Sequence, residues 1–149
     1  MDKLNPVVKV LKKDSGARLP EYETPGAAGA DLRARITEAR VIPPLGRARI
    51  PTGLALEIPP GFEAQVRPRS GLAARSGITV LNAPGTIDSD YRGELEVILI
   101  NLGQEPFTIQ NGDRIAQLVF APVTRAEMTQ ALSLTETERG EGGFGSTGI

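Results

Sequence analysis

The run Leu54-Ala55-Leu56-Glu57-Ile58-Pro59-Pro60-Gly61-Phe62-Glu63-Ala64-Gln65-Val66-Arg67 decides the fold class. Before the prolines, Leu54, Leu56 and Ile58 alternate with Ala55 and Glu57. After Gly61, Phe62, Ala64 and Val66 alternate with Glu63, Gln65 and Arg67. A period of two sends successive side chains to opposite faces of an extended chain, so each run reads as a strand with one buried face. Pro-Pro-Gly between them is turn chemistry, because proline fixes φ and glycine tolerates positive φ. The same pattern recurs on both sides. Leu95, Val97 and Leu99 alternate with Glu94 and Glu96 before the run turns continuously apolar, and Phe107 and Ile109 alternate with Thr108 and Gln110. Pro43-Pro44, Leu45-Gly46, Pro84-Gly85 and Asn111-Gly112-Asp113 punctuate the runs. Many short strands with frequent turns predict an all-β sandwich or barrel.

One stretch departs from this pattern. Ser70-Gly71-Leu72-Ala73-Ala74-Arg75-Ser76-Gly77 has a serine suited to capping, good helix formers and a closing glycine, and it predicts one short helix near 70–76 with Ser70 as its cap. From about Thr137 glycines crowd the chain (Gly140, Gly142, Gly143, Gly145, Gly148), which predicts a tail that is flexible when free. With 149 residues the chain suits one domain. The expected organisation is a β domain over 1–136 and a tail over 137–149 belonging to it.

Composition narrows the chemistry. There is no cysteine and no histidine, which excludes disulfides, thiolate or imidazole metal sites, cysteine nucleophiles and a Ser-His-Asp triad. Catalysis is left to carboxylates, hydroxyls, lysine or a hard cation with oxygen ligands. The formal charge of -1 offers no global field toward nucleic acid or membrane. Lys3, Lys9, Lys12 and Lys13 are the only lysines; every later cation is arginine, whose planar fork grips two phosphate oxygens. No apolar run reaches the roughly 20 residues of a membrane span, and Met1 to Asp14 lack a signal-peptide pattern, so a cytoplasmic protein is expected.

Five segments could carry chemistry. Ala28-Gly29-Ala30-Asp31-Leu32 is a loop-to-strand step with one acid. Pro68-Arg69-Ser70-Gly71-Leu72-Ala73 sets an arginine and a serine where a helix begins, and helix starts present free N–H groups to anions. Gly85-Thr86-Ile87-Asp88-Ser89-Asp90-Tyr91-Arg92-Gly93, after Leu81-Asn82-Ala83-Pro84, offers an aspartate as general base in a chain without histidine, beside a flat tyrosine. A polar turn explains that segment equally well. Gln117 stands in the otherwise apolar Gly112-to-Phe120 strand. The tail from Arg139 to Gly148 satisfies G-x-G-x-x-G between Gly140 and Gly145, yet no helix follows and Ser146 stands where a P-loop has lysine. Terminal disorder is the plainer reading of such a stretch; an arginine, two hydroxyls, free backbone N–H groups and Phe144 also suit it to a lid over a phosphorylated ring.

In this order the five segments resemble the motifs of the trimeric dUTP pyrophosphatase family, over about Val7 to Gly148. The Asp88 loop and the tail are the specific matches; the other three persuade by position. The resemblance implies a β-barrel-like jelly roll with one short helix, and a homotrimer with shared sites: the Asp31, Ser70 and Gln117 segments from one subunit, the Asp88 loop from a second, the tail from a third. It implies hydrolysis of dUTP to dUMP and pyrophosphate with Mg2+, which limits uracil in DNA and supplies dUMP for thymidylate synthesis. Asp88 would be the general base and Asp90 a loop residue. Tyr91 would wall off a 2′-hydroxyl, and Asn82 with the backbone of Gly85, Thr86 and Ile87 would read uracil. Arg69, Ser70, Gly71 and Gln117 would hold phosphates. Phe144 would stack on the base while Arg139, Ser146 and Thr147 bind the outer phosphates. Asp31 would reach magnesium through metal-bound water and not as a direct ligand. Two other readings stand beside this one: a dCTP deaminase-like enzyme on a similar fold, and a catalytically inactive nucleotide-binding module.

Overall fold

The computed structural model describes residues 5–148. Met1, Lys3 and Ile149, touched on above, lie outside the described residues. The strands are β1 Lys9–Lys12, β2 Ala30–Arg33, β3 Arg40–Ile42, β4 Arg47–Glu57, β5 Phe62–Arg67, β6 Ile78–Val80, β7 Gly85–Ile87, β8 Glu94–Asn101, β9 Phe107–Ile109 and β10 Arg114–Pro122, with one helix, α1, at Ser70–Ser76. They form two four-stranded sheets, ordered β1-β4-β8-β6 and β2-β10-β5-β7, and a ribbon of β3 and β9. The all-β expectation holds. Among the described residues neither sheet closes on itself, so the architecture is an open two-sheet sandwich and not a closed barrel.

The opening run of sequence behaves in a way that its pattern alone does not reveal. Its two halves are β4 and β5, and they lie in different sheets. Pro59-Pro60-Gly61 is a corner, closed by the Phe62 N–H on the Pro59 carbonyl at 3.3 Å, that carries the chain across the sandwich. The β7-to-β8 connection, which contains Asp88, crosses back the other way. Both crossings line one hollow through Gly61, Phe62, Glu63, Asp88 and Asp90.

Both sheets contribute to one apolar core. Ile50, Leu54, Leu56, Val97 and Leu99 come from the first sheet and Leu32, Ala64, Val66 and Leu118 from the second. Burial of each large side chain contributes about 1.5–3 kcal/mol. Two details depart from the sequence pattern. Alternation in β8 continues to its end, with Leu95, Val97, Leu99 and Asn101 buried and Ile98 and Ile100 half-buried on the outer face. In β4 burial is continuous from Thr52 to Leu56, because the register with β8 shifts between Pro51 and Ala55 and the strand changes partner from β8 to β1. Buried Asn101 is satisfied: its Nδ2 donates to the carbonyls of Ile42 and Glu105, and its Oδ1 accepts from the Gly103 N–H. That one side chain fixes the ribbon to the end of β8.

Candidate active site

The Asp88 loop is built on an edge. β7 pairs with β5 through Gly85–Val66, Thr86–Gln65 and Ile87–Ala64, and its other side has no strand partner among the described residues. Beyond it the chain turns, with the Tyr91 N–H on the Asp88 carbonyl at 3.2 Å. Tyr91 is locked at its far end, where its hydroxyl donates to the Glu94 carbonyl at 3.1 Å. Gly93 permits this, since a Cβ there would stand 2.3 Å from the Tyr91 oxygen. The result is an open cleft of about 310 Å³ lined by Asn82, Gly85, Thr86, Ile87, Asp88 and Tyr91, with Arg49, Glu94, Glu96 and Ile98 of the first sheet opposite. The structure thus gathers every residue predicted to meet the base and sugar from within the sandwich, that is all of them but Phe144. It also adds the ion-paired Arg49 and Glu96, which sequence reasoning missed. They are neighbours only through the β4–β8 register, so no local signal marks them.

A second cluster forms where β2, β10 and β5 lie side by side. Gln117 sits opposite both Asp31 and Arg67. Its side chain lies across Gly29, where a Cβ would come within 2.1 Å of Oε1, and its Nε2 donates to the Pro68 carbonyl at 2.9 Å. Asp31, only 11% exposed at its side chain, holds Arg69 Nε at 3.5 Å on one oxygen and Arg114 Nη1 at 3.3 Å on the other. Arg114, which also lies 3.8 Å from Glu23, had no assigned role. Its sequence neighbours give no hint that it meets Asp31, 83 positions earlier.

One expectation at the helix is corrected. Ser70 is the first residue inside α1, and the cap position belongs to Arg69, which makes no side-chain cap bond. Arg69 is extended there (φ -90°, ψ 128°), as a cap residue must be, so the exposed Ser70 hydroxyl is free of capping duty. Gly77 closes the helix in the left-handed conformation as expected, with φ 67°.

The tail stands apart from both clusters. Residues 124–141 are exposed, and the turns beyond Thr137 bond only within themselves, as where Arg139 Nε donates to the Gly142 carbonyl. Phe144 is fully exposed. Within one chain the structure therefore does not bring Arg139, Phe144, Ser146 and Thr147 to Asp88.

The dUTPase family model matches residues 15–148. The chain belongs to the dUTPase family. It is 63% identical over 138 residues to the deoxyuridine 5'-triphosphate nucleotidohydrolase of Treponema denticola, covering 93% of this chain and 96% of that protein. The enzyme of the same description from Beijerinckia indica is 60% identical over 144 residues, covering 95% and 90%. Among solved structures, a point mutant of the Staphylococcus bacteriophage 80alpha dUTPase with dUpNHpp superposes with a TM-score of 0.86 at 27% identity, covering 96% of this chain and 99% of that one. A phage phi11 dUTPase, described with a structural Mg(II) ion, gives 0.77 at 25% identity over 85% and 97%. Membership makes the chain a dUTP nucleotidohydrolase, a hydrolase of nucleotide metabolism.

Proposed function

We propose that the chain cleaves dUTP to dUMP and pyrophosphate by attack of water on the α-phosphorus, thereby limiting uracil in DNA and supplying dUMP for thymidylate synthesis. The observation that carries this reading is the cleft in which an exposed carboxylate, a locked tyrosine and an unpaired strand edge face one another. Asp88 orients and deprotonates the water; the new bond runs from its oxygen to the α-phosphorus, and the bond to the bridging oxygen of the leaving pyrophosphate breaks. Such a reaction asks the protein mainly for alignment and charge neutralisation. The Tyr91 ring, held from both ends of its residue, leaves no room for a 2′-hydroxyl. Asn82 and the free edge of Gly85, Thr86 and Ile87 read the uracil, and a base with the wrong donors would leave these groups unpaired.

Arg69, Ser70, Gly71 and Gln117 bind the phosphates. Phe144 stacks over the base and Arg139, Ser146 and Thr147 close on the outer phosphates, excluding water. On β5 the partner of Ile87 and the partner of Gln117 lie three positions apart, roughly 10 Å along a strand. The exposed tail bonds only within itself, away from the Asp88 loop and the Gln117 cluster of its own chain, which suits a homotrimer whose sites each draw on three subunits. A tail from Thr137 to Ile149 can span at most roughly 45 Å.

The metal reading fits the donor set in one form only. Among the described residues no three acidic side chains stand together, and both oxygens of Asp31 face arginines. Magnesium carried on the triphosphate fits this set better than an ion held by the protein alone; Asp31 would hold it through a metal-bound water and not as a direct ligand. When bound it supplies charge neutralisation on the phosphate oxygens. Among the described residues no helix is long and apolar enough to cross a membrane, and a substrate of the nucleotide pool suits a cytoplasmic location. The test is pyrophosphate release with magnesium from dUTP, dCTP, dTTP and UTP in parallel. Fast release from dUTP alone is expected; release from none by folded protein would overturn the reading.

A further inference from the structure

The Asp88 loop carries an arginine to which the mechanism gives no task. Arg92 Nη1 donates to the Ser89 carbonyl at 2.7 Å and to the Tyr91 carbonyl at 3.3 Å, so one guanidinium grips the loop on both sides of Asp90. Its Nη2 lies 3.9 Å from Glu57 Oε1, at the end of β4, and Glu57 Oε2 in turn pairs with Lys9 Nζ of β1 at 3.0 Å. Among the described residues the loop's other fastenings are the Tyr91 N–H and the Tyr91 hydroxyl, so the guanidinium supplies two of these four bonds, and the two charged ones. Bonds from an ionised donor are the stronger kind. A planar fork can meet two carbonyls while another nitrogen faces a carboxylate, which a single ammonium cannot do with fixed geometry. The Lys9 hydrogen bond and charge, and beyond them Arg92, hold the Glu57 carboxyl below its usual range, so the anchor is ionised at neutral pH.

We propose that Arg92 is a positioning residue for the hydrolysis: it clamps the Ser89 and Tyr91 carbonyls so that the Asp88 carboxylate and the Tyr91 ring keep their places, and Glu57 anchors the clamp. This rests on the roles given above to Asp88 and Tyr91. The first sheet thereby reaches the catalytic loop, which springs from the second.

The experiment compares wild type, Arg92→Gln, Arg92→Lys, Glu57→Gln, the Arg92→Gln/Glu57→Gln pair and Asp88→Asn, measuring kcat, KM, the ratio of kcat/KM for dUTP over UTP, and Tm. Arg92→Gln is expected to lower kcat about tenfold and to narrow the dUTP preference, with little change in KM or Tm. Arg92→Lys recovers part of both losses. Glu57→Gln moves kcat and preference in the same direction by less, and the double variant is no worse than Arg92→Gln, because both act through the same bonds. Wild-type kcat and preference in Arg92→Gln, or a loss that follows Tm while preference stays fixed, would overturn the clamp. Should Arg92→Gln fail to fold, unchanged preference in both Arg92→Lys and Glu57→Gln would overturn it equally. Additive effects of the two positions would overturn the anchor. A fully active Asp88→Asn protein would instead remove the base assignment, while sugar preference still tests the clamp through Tyr91.

Discussion

Asp88 and Asp31 are both acids beside arginine-rich surfaces, and their surroundings divide their work. Asp88 is exposed at a sheet crossing and free to meet water, whereas Asp31 is nearly covered and spends both oxygens on arginines. Asp88→Asn keeps the shape and removes the proposed base. Turnover should fall by about 10²–10⁴ with Tm unchanged, measured by pyrophosphate release and thermal melts. Asp31→Asn should act differently. It frees two guanidinium groups of a fixed partner, costing about 1–3 kcal/mol of stability. It should also raise KM for dUTP and the magnesium concentration needed for half-maximal rate, since Arg69 loses its orientation. A thermal melt with a magnesium titration distinguishes the two variants.

At the scale of elements, the outermost pieces are held least. β1 lies at a sheet edge, with only one side chain of partial burial, and is fastened in part by Lys9 on Glu57. The folded Glu57 value lies below the ordinary 4.5. Its contribution is therefore fully present above the unfolded value and is lost as pH falls through the folded one. The protection factors of the β1 amides should fall below about pH 4.5 before those of the β4–β8 core respond, a comparison that exchange measured at pH 6 and pH 4, each set against its intrinsic rate, can make. The tail is the other loosely held element. A chain ending at Glu138 loses no core contact and should fold with unchanged Tm, yet turn over dUTP far more slowly. An equal rate in that truncation would remove the lid from the mechanism.

At the scale of the whole molecule, the tail bonds only within itself and does not reach the Asp88 loop of its own chain. If a site needs the loop of one subunit and the tail of another, two inactive proteins can repair each other. Unfolding and refolding Asp88→Asn together with the chain ended at Glu138 should restore a fraction of wild-type rate, through sites that combine an intact loop with an intact tail. Refolding each alone should restore none. No recovery from a mixed assembly verified by native mass would show that loop and tail must come from the same subunit.

Much of this was legible in the order of residues. The period of two at Leu54–Ile58 and Phe62–Val66, the helix closed by Gly77 and the linear order of the five segments all depend on neighbours within a few positions, and local backbone preference is written there. Asn82, Gly85 to Asp88 and Tyr91 belong to one short stretch, so a sequence reading could name them together. What tertiary structure alone decided is every relation across distance. The corner at Pro59–Gly61 joins two sheets, because pairing partners are chosen by the core and not by the turn. Arg114 meets Asp31, Arg49 meets Glu96, and Arg92 reaches Glu57 only through strand registers set by long-range pairing. Even Ser70 shows the limit: its chemistry suits a cap, but the direction in which the chain leaves β5 gives that position to Arg69. Sequence carries the chemistry of each group, and packing fixes which groups stand face to face.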